Sequence, residues 1–278
     1  TLHNTLFPYT TLFRSGATPI APAAFRDAST PRRLRPPKDR WGRSWFAEVP
    51  CGGSTCEDRR SLLQILTGMA SLPYPRLALI ADGFTAPDRA DRAVAAVRAG
   101  VRWVHLRDHQ AGPEAFEAAA HDLADRVRTE AEDAVVTVNT HLGVAEALGA
   151  GLHLGWRGPS VAEARDHLGP DALIGYSAHD ELGLAGDRAP DVDYYFFSPV
   201  YATSSKPDQP PAGIAALRSF CQTATPTPTL ALGGITPERV PACCDAGAEG
   251  VAVLSGIMEA DVPVAATRAY LRALSETI

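Results

Sequence analysis

Lysine is scarce in this chain of 278 residues: of 26 basic residues only Lys38 and Lys206 are lysines, so nearly every cation is a guanidinium. Keeping a lysine at 206 places there a compact ammonium with three donors, suited to a phosphate. A solvated surface lysine is the plain alternative. Cysteine is also sparse. Cys51, Cys56, Cys221, Cys243 and Cys244 are odd in number and form no CxxC pair, which argues against a disulfide frame or a zinc site and leaves reduced thiols. No run reaches the roughly 18 to 20 apolar residues that span a bilayer, and no basic-then-apolar leader with a small-residue cleavage site is visible. The expected location is cytoplasmic, with no membrane partner. GxGxxG, P-loop, HExxH and GxSxG patterns are missing, and with them the chemistry each would signal.

Positive charge is lacking where the pattern is most regular. Residues 1–68 contain ten Arg/Lys and five Asp/Glu, which leaves 16 basic and 27 acidic residues for the remainder, a net charge of −11. Such a surface is a poor one for nucleic acid. Any anion site must be local, built from a few cations and backbone N–H groups. The hydrophobic share of 45% and charged share of 21% are ordinary for a globular protein.

Residues 1–15 have no periodicity that continues into an element, and Thr5–Ser15, TLFPYTTLFRS, looks like the translation of a sequencing-library adapter. Gly16–Arg43 is rich in Pro, Ala and Arg and reads as disordered or as untranslated upstream sequence. The expectation is a non-native or disordered extension over 1–68, with a short helix at Ser61–Met69, and one domain over 69–278 beginning at Met69.

From Leu77 onward, short apolar runs alternate with amphipathic stretches, the pattern of repeated βα units on a parallel sheet. The runs predict eight strands at Leu77–Ala81, Val101–Leu106, Val135–Val138, Leu152–Leu154, Leu173–Tyr176, Tyr194–Phe197, Thr229–Leu232 and Val251–Leu254. Helices are predicted near 87–99, 113–130, 142–149, 160–168, 180–186, 213–222, 237–246 and 262–275. Pro87, Pro113 and Pro237 fall where a first helical turn tolerates proline. The fold class is α/β, a single-domain (β/α)8 TIM barrel, with an open doubly wound sheet as runner-up.

In such a barrel the C-terminal strand ends form the active face. The seventh strand is followed by Gly233-Gly234-Ile235-Thr236 and the eighth ends in Leu254-Ser255-Gly256, glycine-containing loops whose N–H groups can approach a phosphate or serve only as tight turns. Arg107, at the end of strand two, can clamp an anion bidentately or form an ion pair at the barrel mouth. His105 and His153 lie within strands and read as satisfied core histidines. His179, at the mouth of strand five, is placed to exchange protons near neutral pH. Asn139 ends strand three and can both donate and accept. Tyr194–Lys206, YYFFSPVYATSSK, is a buried strand delivering a loop of hydroxyls that ends in lysine.

The succession VHLRDH, VNTHLGVAEALGAGLHLGWRG, IGYSAHD, SPVYATSSK, LALGGIT and GAEGVAVLSGI resembles the thiamine phosphate synthase and TenI family in order and spacing over about 77–275. That resemblance implies a barrel enzyme. Its synthase branch joins a hydroxymethylpyrimidine diphosphate to a thiazole phosphate, and its TenI branch includes thiazole tautomerases. The family's pyrimidine-side positions fall on His105, Arg107, His109, Asn139, Ser177 and Lys206, and its thiazole-phosphate positions on Thr203, Ser204, Ser205, Gly234, Leu254 and Ser255.

The departures from the pattern choose between branches. A lysine expected after strand two is His109, and the two aspartates that hold magnesium in the synthases are Thr140 and Gly158. Without hard oxygen anions a Mg²⁺ has little to hold it. The resulting expectation is a metal-independent TenI-type isomerase acting on a thiazole phosphate carboxylate. His179 is its acid/base; Arg107, Asn139, Ser177, Thr203, Ser205 and Lys206 contact the substrate, and Gly234, Leu254 and Ser255 hold the phosphate. No cofactor or metal ligand is assigned. The alternative is a divergent thiamine phosphate synthase, a transferase for which Mg²⁺ would be required. The third reading is a phosphate-metabolite binder without turnover. The expected partners are small phosphorylated molecules, a thiazole and in the alternative a pyrimidine, with homo-oligomerisation left open.

Overall fold

The structure, a computed structural model, describes residues 75–155, 158–180, 191–205 and 209–277. Its strands are β1 (Leu77–Asp82), β2 (Trp103–Arg107), β3 (Val135–Asn139), β4 (Gly151–Leu154), β5 (Ile174–Ala178), β6 (Tyr194–Phe197), β7 (Thr229–Leu232) and β8 (Gly250–Val253). Each pairs in parallel with the next, and β8 returns to β1 through Leu77↔Val251 and Leu79↔Val253, so the sheet is a closed eight-stranded barrel. The α-helices among the described residues are α1 (Pro87–Arg98), α2 (Pro113–Glu130), α3 (Leu142–Leu148), α4 (Val161–Leu168), α5 (Gly213–Ala224), α6 (Val240–Asp245), α7 (Ser255–Met258) and α8 (Pro263–Ser275).

The helices form for visible local reasons. Proline opens α1, α2 and α8, where a missing N–H costs nothing. On α2, Phe116, Ala120, Leu123, Ala124 and Val127 are buried, and their three- and four-residue spacing makes one apolar stripe against the sheet. Ser160 caps α4: its Oγ accepts from the Glu163 N–H at 3.2 Å, and Glu163 Oε2 accepts from the Ser160 N–H at 2.7 Å.

Three expectations change. The second strand starts at Trp103 rather than Val101, because the Val101 N–H donates to Ala96 O at 3.1 Å and is spent closing α1. The helix expected over 237–246 is split into a 3₁₀ turn at Pro237–Arg239 and α6, since Pro241 has no N–H to carry a ladder back to Pro237. The four-residue α7 was not foreseen from sequence. The helix placed at 180–186 lies beyond Asp180 outside the described residues, as do the extension over 1–68, the short helix at Ser61–Met69 and Met69 itself.

The barrel axis is filled by aromatic and imidazole rings. Tyr194 and Phe196 from β6 meet Trp103 at ring-centroid distances of 4.7 and 5.8 Å, and Phe196 lies 4.4 Å from His153. His105 and His153 are each 2% exposed and are satisfied as expected. His105 Nδ1 pairs with Thr137 Oγ1 at 3.0 Å, while His153 pairs through Nδ1 with the Tyr194 hydroxyl at 3.0 Å and through Nε2 with Ser177 Oγ at 2.9 Å. Burial, with Arg107 nearby, pushes the His153 imidazole down to about 3 and holds His105 well below its usual range, so both rings stay neutral.

Gly175 on β5 makes this filling possible, because a Cβ there would overlap the Tyr194 ring. Gly175→Ala is expected to destabilise the fold by about 1–3 kcal/mol through overpacking. Urea unfolding checks it, and an unchanged midpoint contradicts this packing.

Candidate active site

Arg107 leaves the end of β2 directly beside Asp82 at the end of β1, and its Nε donates to Asp82 Oδ1 at 2.7 Å. The mouth ion pair is therefore formed, and Arg107 still lines the cleft at the C-terminal end of the barrel. The opposite wall comes from the loops after β6, β7 and β8. Thr203 and Ser205, then Gly233, Gly234 and Ile235, then Leu254, Ser255 and Gly256 face the same space.

The β6 and β7 loops pack backbone on backbone. Gly234 has φ of +61°, and a Cβ on it would overlap the Ala202 carbonyl, so both conformation and space call for glycine. Every carbonyl along this run is engaged: Leu232 O accepts from the Val200 N–H at 2.9 Å, Gly233 O from the Tyr201 N–H at 3.0 Å, Gly234 O from Arg239 Nη1 at 2.6 Å and Ile235 O from the Tyr270 hydroxyl at 2.8 Å. The N–H groups of Gly234 and Ile235 find no acceptor among the described residues. Ser255 and Gly256 open α7, so their N–H groups precede any intrahelical acceptor. Residues with uncommitted backbone donors on two loops thus line a cleft that Arg107 also lines, an arrangement that can accept an anion.

His179 follows β5, and its Nδ1–H donates to the Ser198 carbonyl at 2.5 Å. A carbonyl only accepts, so the Nδ1 of His179 carries a hydrogen there, and Nε2 has no hydrogen-bond partner among the described residues. Ser198 lines the cleft, so the imidazole is anchored to its wall.

The cleft brings together Arg107, Thr203, Ser205, Gly234, Leu254 and Ser255 of the residues expected from sequence. Asn139, Ser177 and His179 stand at the ends of β3 and β5 and do not line it, although Ser177 is tied to the barrel core through His153. Lys206 lies outside the described residues. Sequence reasoning missed Asp82, Ser198, Arg239 and Tyr270. Only Asp82 had a signal, as the unnamed partner in an ion pair at the mouth.

Among the described residues, Thr140 and Gly158 offer a magnesium ion no ligand of the hard anionic kind. A Cβ on Gly158 would lie 3.4 Å from Thr140 Cγ2, so the two positions stand side by side, and neither offers a carboxylate. At the ends of β1 and β2, Asp82 is engaged by Arg107 and Asp108 by Thr85, and no cluster of His, Cys, Asp or Glu among the described residues could hold a metal. Thr140 itself has φ of +56°, a conformation that asparagine and aspartate tolerate better than a β-branched residue.

A closed parallel eight-stranded sheet with alternating helices and a cleft at the loops after β6, β7 and β8 defines the class, a (β/α)8 barrel. The thiamine monophosphate synthase model matches residues 77–257, and the chain belongs to that family. It is 38% identical over 197 residues to a thiamine-phosphate synthase of Mycobacterium sp. (strain KMS), covering 67% of this chain and 86% of that protein. The corresponding protein of Albidiferax ferrireducens is 38% identical over 208 residues, or 73% of this chain and 93% of the relative. Among solved structures, a thiamine phosphate pyrophosphorylase from Pyrococcus furiosus superposes with a TM-score of 0.63 at 23% identity, over 73% of this chain and 96% of the other, and supports the fold.

Asp108, next to Arg107, ties the β2 loop together. Burial alone would raise its pKa, but the Thr85 hydroxyl at 2.5 Å and the N–H groups of Gln110 and Ala111 at 3.0 and 3.2 Å outweigh that and hold it below the usual carboxylate range. A depressed folded pKa contributes stability that is present above the unfolded value of 3.8 and lost as pH falls through the lower folded value. The stability advantage of wild type over Asp108→Asn is therefore expected to shrink only in acid. Thermal unfolding of both from about pH 7 to about pH 3 checks it, and a constant gap contradicts the assignment.

Proposed function

We propose that the protein is an enzyme of thiamine biosynthesis that holds a thiazole phosphate carboxylate at the β7–β8 loops and moves a proton on it, an isomerase that needs no divalent metal. The observation that carries this reading is the pair Thr140 and Gly158, side by side and without a carboxylate, where a metal-dependent synthase needs hard anionic ligands. A tautomerisation changes only where one proton sits. One acid/base that takes it and returns it is sufficient, and His179 has the free Nε2 for that work. In this reading the N–H groups of Gly234, Leu254 and Ser255 hold the phosphate, while Arg107, Asn139, Ser177, Thr203, Ser205 and Lys206 meet the rest of the substrate.

The second reading is a thiamine phosphate synthase, a transferase, and the names of the relatives favour it over the isomerase. It asks this site to meet the charge of a diphosphate through groups other than the two missing carboxylates. Binding without turnover is the third. The acidic balance of residues 69–278 speaks against nucleic acid in every case, and among the described residues no helix is long and apolar enough to cross a membrane.

Purified protein should convert the thiazole phosphate carboxylate tautomer in the presence of a chelator. Thiamine phosphate formation from both substrates that requires Mg²⁺ would instead establish the transferase, and saturable binding alone the third reading. His179→Asn is expected to lower kcat by about 10²- to 10⁴-fold with ligand affinity nearly unchanged, whereas Lys206→Ala should chiefly weaken binding. Wild-type turnover by His179→Asn contradicts the assignment of the proton-transfer group.

A further inference from the structure

Two side chains outside the cleft donate hydrogen bonds to the backbone that lines it. Arg239, in the 3₁₀ turn after β7, is exposed, and Tyr270, in the middle of α8, is buried; neither lines the cleft. Arg239 Nη1 donates to Gly234 O at 2.6 Å while its guanidinium lies 4.4 Å from the centre of the Tyr201 ring, so one side chain pins the β7 loop to the β6 loop. The Tyr270 hydroxyl donates to Ile235 O at 2.8 Å and occupies the space a Cβ on Gly256 would need, so it joins the β7 loop to the loop after β8.

A peptide unit has its carbonyl and the next N–H on opposite sides. Holding the Gly234 carbonyl therefore fixes the N–H of Ile235, a cleft-lining residue whose N–H finds no acceptor among the described residues, and holding the Ile235 carbonyl fixes the peptide that follows, so the loop that also carries the Gly234 N–H is held in one conformation. We propose that Arg239 and Tyr270 are positioning residues for the anion cradle, holding its donors in place before the phosphate arrives. Burial pushes the Tyr270 phenol up to about 12, so it remains a donor at all ordinary pH. Preorganised donors spare a ligand the cost of ordering them, and the saving applies only to the group they bind.

This inference rests on the phosphate-binding reading above, and the experiment separates the two. Affinities of the thiazole phosphate carboxylate and of its unphosphorylated alcohol are measured calorimetrically for wild type, Arg239→Ala, Arg239→Lys and Tyr270→Phe. Wild type should prefer the phosphorylated ligand. Arg239→Ala and Tyr270→Phe should each weaken it by about 2- to 10-fold and leave the alcohol unchanged, with Arg239→Lys intermediate because an ammonium can reach the carbonyl without the planar stack. No phosphate preference in wild type removes the cradle itself. A preference in wild type that survives in the variants, or equal weakening of both ligands, leaves the cradle standing and overturns the positioning role.

Discussion

The site depends on the close approach of two backbones. Gly234 can lie against the Ala202 carbonyl only because it has no Cβ, and that approach brings the hydroxyl loop after β6 alongside the glycine loop after β7. Carbonyl groups compete with an anion for the same donors. Here each carbonyl from Leu232 to Ile235 has a partner of its own, which leaves nearby N–H groups uncommitted at the cleft wall. An acidic chain can in this way form an anion site without a large basic patch.

The barrel beneath is a closely packed support. Rings from β2, β4 and β6 fill its axis, their polar atoms paired with one another or with Thr137 and Ser177, and burial keeps the imidazoles there neutral. His179, the residue proposed for proton transfer, stands instead just past the end of β5, tethered at Nδ1 to the Ser198 carbonyl. In that reading the same histidine type has two uses, separated by depth in the barrel.

Much of this fold was legible because a βα barrel writes itself as alternating runs: the strands at 194–197 and 229–232 fall where their apolar runs do. The start of β2 was not, since Val101 is as apolar as a strand residue and only its hydrogen bond to Ala96 assigns it to the helix end. Glycines 233 and 234 announced a loop for which side chains are too large. Asp82 could not be paired with Arg107 from sequence, because the contact follows from strand register across 25 positions. Arg239 and Tyr270 were invisible for a different reason. They act on backbone carbonyls, and a sequence does not say which carbonyl a side chain will reach. The loss of the two carboxylates at Thr140 and Gly158 was readable only through resemblance, and their adjacency only from the fold.

A crystal structure of the full chain with inorganic phosphate at the barrel mouth tests the central claim most directly. The account expects the anion between the β7 and β8 loops, accepting hydrogen bonds of about 2.7–3.2 Å from the N–H groups of Gly234 and Ser255. Phosphate seated instead on Arg107 away from those loops, or absent from the cleft at saturating concentration, would contradict it.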